Sequence, residues 1–200
     1  MHEDCLPPAT LDLLGRIATV ARQHGLALGG GSACALHLGH RTSADLDLFA
    51  LTPLDPPALL ASLEAVGERR LRGISANELA LVVDGVELSA TSLAREPLDK
   101  PSEHRGVPLL SPADLAELKV AAAIARSAAR DLCDLHLLCL AGVDLERATR
   151  ASEIDLVVAL KALTDAARYE AQPALDLRRE WSVEEAVEFF GREAERLLAP

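Results

Sequence analysis

Apolar residues at Leu11, Leu14, Ile17, Ala18 and Ala21 recur at helical spacing, so residues 10–24 are predicted as the first helix, with Thr10 as N-cap and Gly25 as stop. Leu26-Ala27-Leu28 reads as a short buried strand. It runs into Gly29-Gly30-Gly31-Ser32, and residues 33–38 are predicted as a short helix ending near Gly39. Asp45-Leu46-Asp47-Leu48-Phe49 alternates with period two, which makes it a strand with both carboxylates on one face and Leu46 and Leu48 on the other. A Pro-rich turn then leads to a predicted helix over 58–68. Strand-like stretches follow at 70–74, 78–83 and 86–91, and Asp84-Gly85 is a hairpin signal between the last two.

Residues 95–106 are polar and predicted irregular, while residues 107–110 return to the sheet. Ser111-Pro112-Ala113-Asp114 has the chemistry of a helix start: a Ser cap, Pro in the first turn and an acid three residues on. Beyond it the pattern is helical over 112–128, 130–141, 152–169 and 183–198, with breaks at Gly142 and Pro173. The expected fold is therefore α/β: a mixed twisted sheet with flanking helices over residues 1–110, followed by a C-terminal helical lobe over 111–200. Internal repeats and low-complexity tracts are not visible.

At 200 residues, half of them hydrophobic, the chain can bury one good core and a helical extension of it. Its N-terminus lacks a secretory pattern and no apolar run reaches the roughly 18 residues that span a bilayer, so a soluble cytoplasmic protein with no membrane partner is expected. Cys5, Cys34, Cys133 and Cys139 show no C-x-x-C spacing and read as reduced thiols, mostly buried. The net charge of −11 excludes a broad, non-specific grip on nucleic acid, which depends on many cations against phosphates, but leaves room for a local basic groove. From residue 151 onward there are eleven acidic and six basic residues, the signature of a solvated helical face.

Two features carry candidate chemistry. A glycine turn opening a helix exposes backbone N–H groups at the positive end of the helix dipole, so Gly30, Gly31 and Ser32 are candidates for a phosphate cradle. Two aspartates at i and i+2 on a strand, Asp45 and Asp47, can hold divalent cations against phosphate oxygens. Taken singly, each has a plain structural reading, close packing for the glycines and a solvent-facing strand for the aspartates. Together, on strand, helix and strand, they form a far more specific pattern.

The stretch from Leu28 to Phe49, LGGGSACALHLGHRTSADLDLF, resembles the AbiEii/AbiGii toxin family of the polymerase-β nucleotidyltransferase superfamily, whose members carry GGT or GGS, then GHR, then S-x-D-L-D-hydrophobic-F. His40, Arg41, Ser43, Asp45, Asp47 and Phe49 match. A second block, Lys119 with Arg126 seven residues on and then Arg130-Asp131-Leu132-Cys133-Asp134-Leu135, resembles the family's K-x6-R and [K/R]-D-x-x-D-L motifs. The resemblance implies a nucleotidyltransferase fold whose helical lobe closes the active cleft. It also implies Mg²⁺-dependent transfer of a nucleoside monophosphate from an NTP to an acceptor, with release of pyrophosphate.

By the same resemblance Asp45 and Asp47 hold Mg²⁺, and Gly30, Gly31, Ser32, His40 and Arg41 lie at the nucleotide. Lys119, Arg126 and Arg130 contact phosphates, with Lys119 also assisting charge stabilisation, and Asp131 and Asp134 orient these cations or a bound base. The acceptor implied is RNA such as tRNA, with a cognate antitoxin as partner. A small-molecule acceptor, as in antibiotic nucleotidyltransferases, and a catalytically degenerate nucleotide-binding protein are the alternatives. One departure stands out: Ser89 occupies the place where family members often carry a third carboxylate, and serine cannot act as a base at neutral pH. Glu87, two residues earlier on the same strand face, is the expected substitute.

Overall fold

The computed structural model describes residues 1–93, 95–169 and 176–199, and the chain divides into two compact units, Met1–Ser111 and Pro112–Pro200. The helix break expected at Pro173 lies outside the described residues. The first unit contains α1 (Pro8–Arg16), α2 (Ala18–Gln23), β1 (Leu26–Gly29), α3 (Gly30–Leu38), β2 (Leu46–Ala50) and α4 (Pro56–Ser62). It continues with β3 (Arg69–Ile74), β4 (Glu78–Val83), β5 (Val86–Ser92), β6 (Ser102–His104) and β7 (Val107–Leu109). The strands form one mixed seven-stranded sheet in the order β3-β4-β5-β2-β1-β7-β6. β2 runs parallel to β5 and antiparallel to β1, and β1 runs parallel to β7.

Period-two alternation sets the faces. Leu46, Leu48 and Ala50 of β2, Leu79, Leu81 and Val83 of β4, and Val86, Leu88 and Ala90 of β5 are all buried on one side. Leu13 and Leu14 of α1 and Leu59 of α4 are buried too, and these helices pack against β5 and β4 respectively. The opposite face of β2 and β5 carries Asp47, Phe49, Glu87, Ser89 and Thr91, and none of these is fully buried. The Asp84-Gly85 hairpin forms as read, with φ of 47° and 86° at its two central residues, the left-handed pair that a two-residue turn between twisted strands requires.

Several local expectations need correction. The helix predicted over 10–24 is two helices, interrupted at Ile17. Thr10 is not its cap: Pro7 and Pro8 start α1 earlier, where a missing N–H leaves no intrahelical bond unmade, and the Thr10 hydroxyl donates to the Ala44 carbonyl at 2.7 Å. The region read as irregular contains β6, whose polar residues are held by register with β7, Ser102 opposite Leu109 and His104 opposite Val107. At the far side of the sheet β3 forms an edge. A bulge between Leu71 and Gly73 interrupts its pairing with β4, and residues 70–74 are exposed.

The second unit is helical: α5 (Pro112–Arg126), α6 (Ala129–Leu140), α7 (Leu145–Ala151), α8 (Leu156–Leu163) and α9 (Val183–Leu197). α5 packs on α6, α7 and α8, and α9 packs on α6 and α8. The helix predicted over 152–169 is displaced, because Asp144 and Asp155 each cap a new helix by accepting two backbone N–H bonds. Cys5, Cys34 and Cys133 are buried and form no disulfide, and burial pushes the Cys139 thiol up to about 12. Among the described residues no helix is long and apolar enough to cross a membrane.

Candidate active site

Strand register places the central carboxylate. Asp47 lies opposite Gly29 on the β1 side and opposite Ser89 on the β5 side. Its Oδ1 accepts a hydrogen bond from the Ser89 hydroxyl at 2.8 Å. Its Oδ2 lies against Gly30, where an added Cβ would overlap the carboxylate, and the φ of +59° at Gly30 is a left-handed conformation that glycine takes without cost. Close approach also explains the flanking glycines: Gly29 lies under the Phe49 ring, and Gly31 faces the Arg41 guanidinium and the Ser43 hydroxyl. Asp45, just before β2, is exposed.

Gly29 is the N-cap of the nine-residue α3, so the first N–H groups of that helix arise at Gly30, Gly31 and Ser32, beside Asp47. Those amides and the positive end of the helix dipole suit a phosphate. Ser32 has its hydroxyl engaged elsewhere. Its side chain is fully buried and donates to the Asp45 carbonyl, so the hydroxyl ties the first turn of α3 to the residue preceding β2.

Arg41 is 8% exposed and donates to the Thr42 carbonyl at 3.1 Å, while its guanidinium stands over Gly31. His40 is fully buried. His37 bonds the Leu110 carbonyl at 3.0 Å, and burial holds its imidazole below the ordinary histidine range. Glu87 shares the face of Ser89 on β5, yet its carboxylate pairs with Arg72 of β3 at 3.1 Å, on the side of the sheet away from β2. Among the described residues no three His, Cys, Asp or Glu side chains gather to hold a metal. What the chain offers is therefore a pair of carboxylates, hard oxygen donors that fit Mg²⁺ completed by phosphate and water oxygens, as Mg²⁺ is ordinarily bound.

In the helical unit the second motif block forms an ion cluster. Lys119 Nζ lies 2.8 Å from Asp131 Oδ1 and 2.7 Å from Asp134 Oδ2, and Arg126 Nη2 lies 2.9 Å from Asp131 Oδ2. The Lys119 side chain is 6% exposed and both aspartates 0%, whereas that of Arg126 is 54% exposed. The K-x6-R spacing on α5 and the i, i+3 aspartates on α6 thus clasp the two helices together. The Lys119 ammonium is engaged by two buried carboxylates. Arg126 and Arg130 are the exposed cations of the block.

Sequence reasoning gave no role at the site to three participants, although it matched Ser43 to the S-x-D-L-D motif and placed Gly29 in the glycine turn. Arg72, the partner of Glu87, carries no signal, since that pair spans three strands.

Known proteins resemble this chain in sequence and in fold. A protein of Aquifex aeolicus (strain VF5), uncharacterized protein aq_aa25, is 26% identical over 199 residues, covering 94% of this chain and 95% of its own. JHP933 from Helicobacter pylori superposes with a TM-score of 0.61 at 16% identity, covering 98% of this chain and 90% of that one. The nucleotidyltransferase toxin MenT4 (Rv2826c) from Mycobacterium tuberculosis H37Rv superposes with a TM-score of 0.54 at 19% identity, covering 92% and 83%. At these identities the two structures share the fold, a mixed α/β nucleotidyltransferase architecture. The family described as nucleotidyl transferase AbiEii toxin, type IV toxin–antitoxin system, matches residues 73–189, a span that includes β5 with Ser89 and the Lys119–Asp134 cluster. With more than half of its length matched, the chain belongs to the AbiEii toxin family and is a nucleotidyltransferase.

Proposed function

We propose that this nucleotidyltransferase transfers a nucleoside monophosphate from a Mg²⁺-bound NTP to a hydroxyl of an RNA, with tRNA the foremost candidate, in the manner of a toxin. The observation that carries the reading is the placement of Asp47, held by Ser89 on one side and by the glycine turn of α3 on the other, with Asp45 exposed beside it. In the reaction an oxygen–phosphorus bond forms between acceptor and α-phosphate, the α–β bridging bond breaks, and pyrophosphate leaves. Mg²⁺, when bound, neutralises charge on the triphosphate and the departing pyrophosphate.

The chain's own residues divide the remaining work. Asp45 and Asp47 hold the cation, and the Gly30 and Gly31 amides at the start of α3 hold phosphate oxygens. Arg41, over Gly31, adds a fixed positive charge. Ser32 keeps the helix start and Asp45 in register. A net charge of −11 disfavours a long electrostatic footprint, so a local contact with the end of a folded RNA fits better than coverage of an extended strand. Membership in a toxin–antitoxin family implies a cognate antitoxin as partner.

Calorimetric titration with each NTP tests the reading. Mg²⁺-dependent binding is expected in the parent and is lost in the double variant Asp45→Asn with Asp47→Asn. Incubation with labelled NTPs and total RNA is expected to label RNA, with tRNA carrying the signal. Equal binding by parent and double variant would remove the assigned site, and labelling of a small molecule in place of RNA would remove the assigned acceptor.

A further inference from the structure

We infer that Ser89 is a positioning residue that fixes the Asp47 carboxylate, and that the acceptor hydroxyl loses its proton to a solvent base because β5 presents no base beside Asp47. The inference rests on the nucleotidyl-transfer reading above and concerns the proton that this reaction must remove.

Register and hydrogen bonding carry the argument. β2 and β5 are parallel, with Asp47 directly opposite Ser89, so any group at position 89 meets the carboxylate that faces the reacting phosphate. The hydroxyl has one proton and donates it to Asp47 Oδ1 at 2.8 Å. Toward a substrate Ser89 therefore offers only a weakly basic oxygen, which does not take a proton at neutral pH. What it does supply is orientation. With Oδ1 held by Ser89 and Oδ2 packed over the side-chain-free Gly30, the carboxylate is pinned at both oxygens.

Among the described residues of β2, β4 and β5, the other groups facing Ser89 do not replace the missing base. On β5 its same-face neighbours are Glu87 and Thr91, and across β4 its register partner is Ala80. The Glu87 carboxylate pairs with Arg72 of β3 at 3.1 Å, on the side of β5 away from Asp47. On β2 the same-face groups are Asp47 and Phe49, with Asp45 just before the strand, and the two aspartates serve as ligands of the cation. The proton of the acceptor hydroxyl then passes to a hydroxide or buffer base as the oxygen–phosphorus bond forms, and pyrophosphate carries away the electron pair of the broken bond.

Two measurements test this. In single-turnover reactions at fixed pH, Mg²⁺ concentration and ionic strength, the rate of the parent rises in proportion to added imidazole, a small diffusible base. Ser89→Asp turns over faster, by about tenfold or more given what a positioned base contributes, and loses the dependence on imidazole. A parent rate indifferent to imidazole, or a Ser89→Asp variant no faster than the parent, overturns the solvent-base assignment.

The positioning role is read without turnover. Ser89→Ala weakens Mg²⁺-dependent NTP binding by about tenfold, the effect of losing a hydrogen bond to a charged group, and Ser89→Thr retains it. Unchanged affinity in Ser89→Ala overturns the role of Ser89 while leaving the site intact. Absence of Mg²⁺-dependent binding in the parent would instead overturn the underlying reading.

Discussion

Replacing Lys119 by Met keeps most of the side chain's length and apolar stem while deleting its charge, and the cluster around it sets the cost of that deletion. Two cations, Lys119 and Arg126, balance two carboxylates, Asp131 and Asp134, and both carboxylates are fully buried. Without the ammonium both buried carboxylates lose a cation that stands 2.7–2.8 Å away, while Asp131 keeps Arg126 at 2.9 Å, so the buried negative charge is less well compensated. Breaking a buried pair in this way costs about 3–5 kcal/mol. For a chain of this size each kcal/mol lowers the melting temperature by about 2–4 °C, so a fall of about 6–20 °C is expected.

Adding Asp134→Asn restores charge balance, and the double variant should recover part of the loss, about 1–3 kcal/mol. Trp181 is the chain's one tryptophan, and its indole N–H donates to His136 of α6 at 3.0 Å, so its fluorescence in urea reports unfolding of this unit. A Lys119→Met variant within about 1 kcal/mol of the parent, or a double variant less stable than the single one, would refute the account of a buried structural clasp.

Three further substitutions and one pH dependence have definite expected outcomes. Gly30→Ala strains a φ of +59° by about 1–2 kcal/mol and drives a methyl group into the Asp47 carboxylate, so Mg²⁺-dependent NTP affinity should fall at least about tenfold by calorimetry. Gly15→Ala, whose added methyl meets nothing, should leave affinity unchanged and stabilise α1 by up to about 1 kcal/mol. Arg126→Ala, at a side chain 54% exposed, should weaken NTP binding while the circular dichroism of the fold persists; unchanged affinity would confine Arg126 to the clasp. Burial holds the His136 imidazole below its ordinary 6.5, so the unfolded chain takes up this proton first on acidification. The stability of the helical unit should be level above pH 6.5 and decline as pH falls through it toward the lowered folded value, and His136→Gln should flatten that limb in urea titrations followed by fluorescence.

The elements most legible from sequence are those whose pattern and turn chemistry agree. β4 is read at its observed bounds because Glu78–Val83 is a short run, apolar after Glu78, and Asp84-Gly85 dictates the turn after it. The carboxylate strand is legible because alternation alone sends Asp47 and Leu48 to opposite faces. α7 escapes sequence reading although Asp144 is a strong cap, since a seven-residue helix has too few turns to show a period. β6 escapes it because Ser102-Glu103-His104 has no strand character of its own and is extended only through its partner. Side-chain roles are the least legible. Ser32 and Lys119 both stand in motifs, but their side-chain partners, a backbone carbonyl thirteen residues away and two carboxylates on another helix, leave no mark on the local pattern.

The edge strand β3 bears on how this protein behaves at high concentration. An outermost strand presents a row of backbone donors and acceptors that a second copy could extend into a continuous sheet. Here the bulge between Leu71 and Gly73 breaks the regular spacing of that row. Arg70, exposed between Arg69 and Arg72, which pair with Glu64 and Glu87, adds a charge that a second copy would have to bury. Leu71 and Ile74, 47% and 46% exposed, are thereby kept from acting as a nucleus for stacking. The strand closest to becoming a polymer contact is thus the one built to refuse its own likeness.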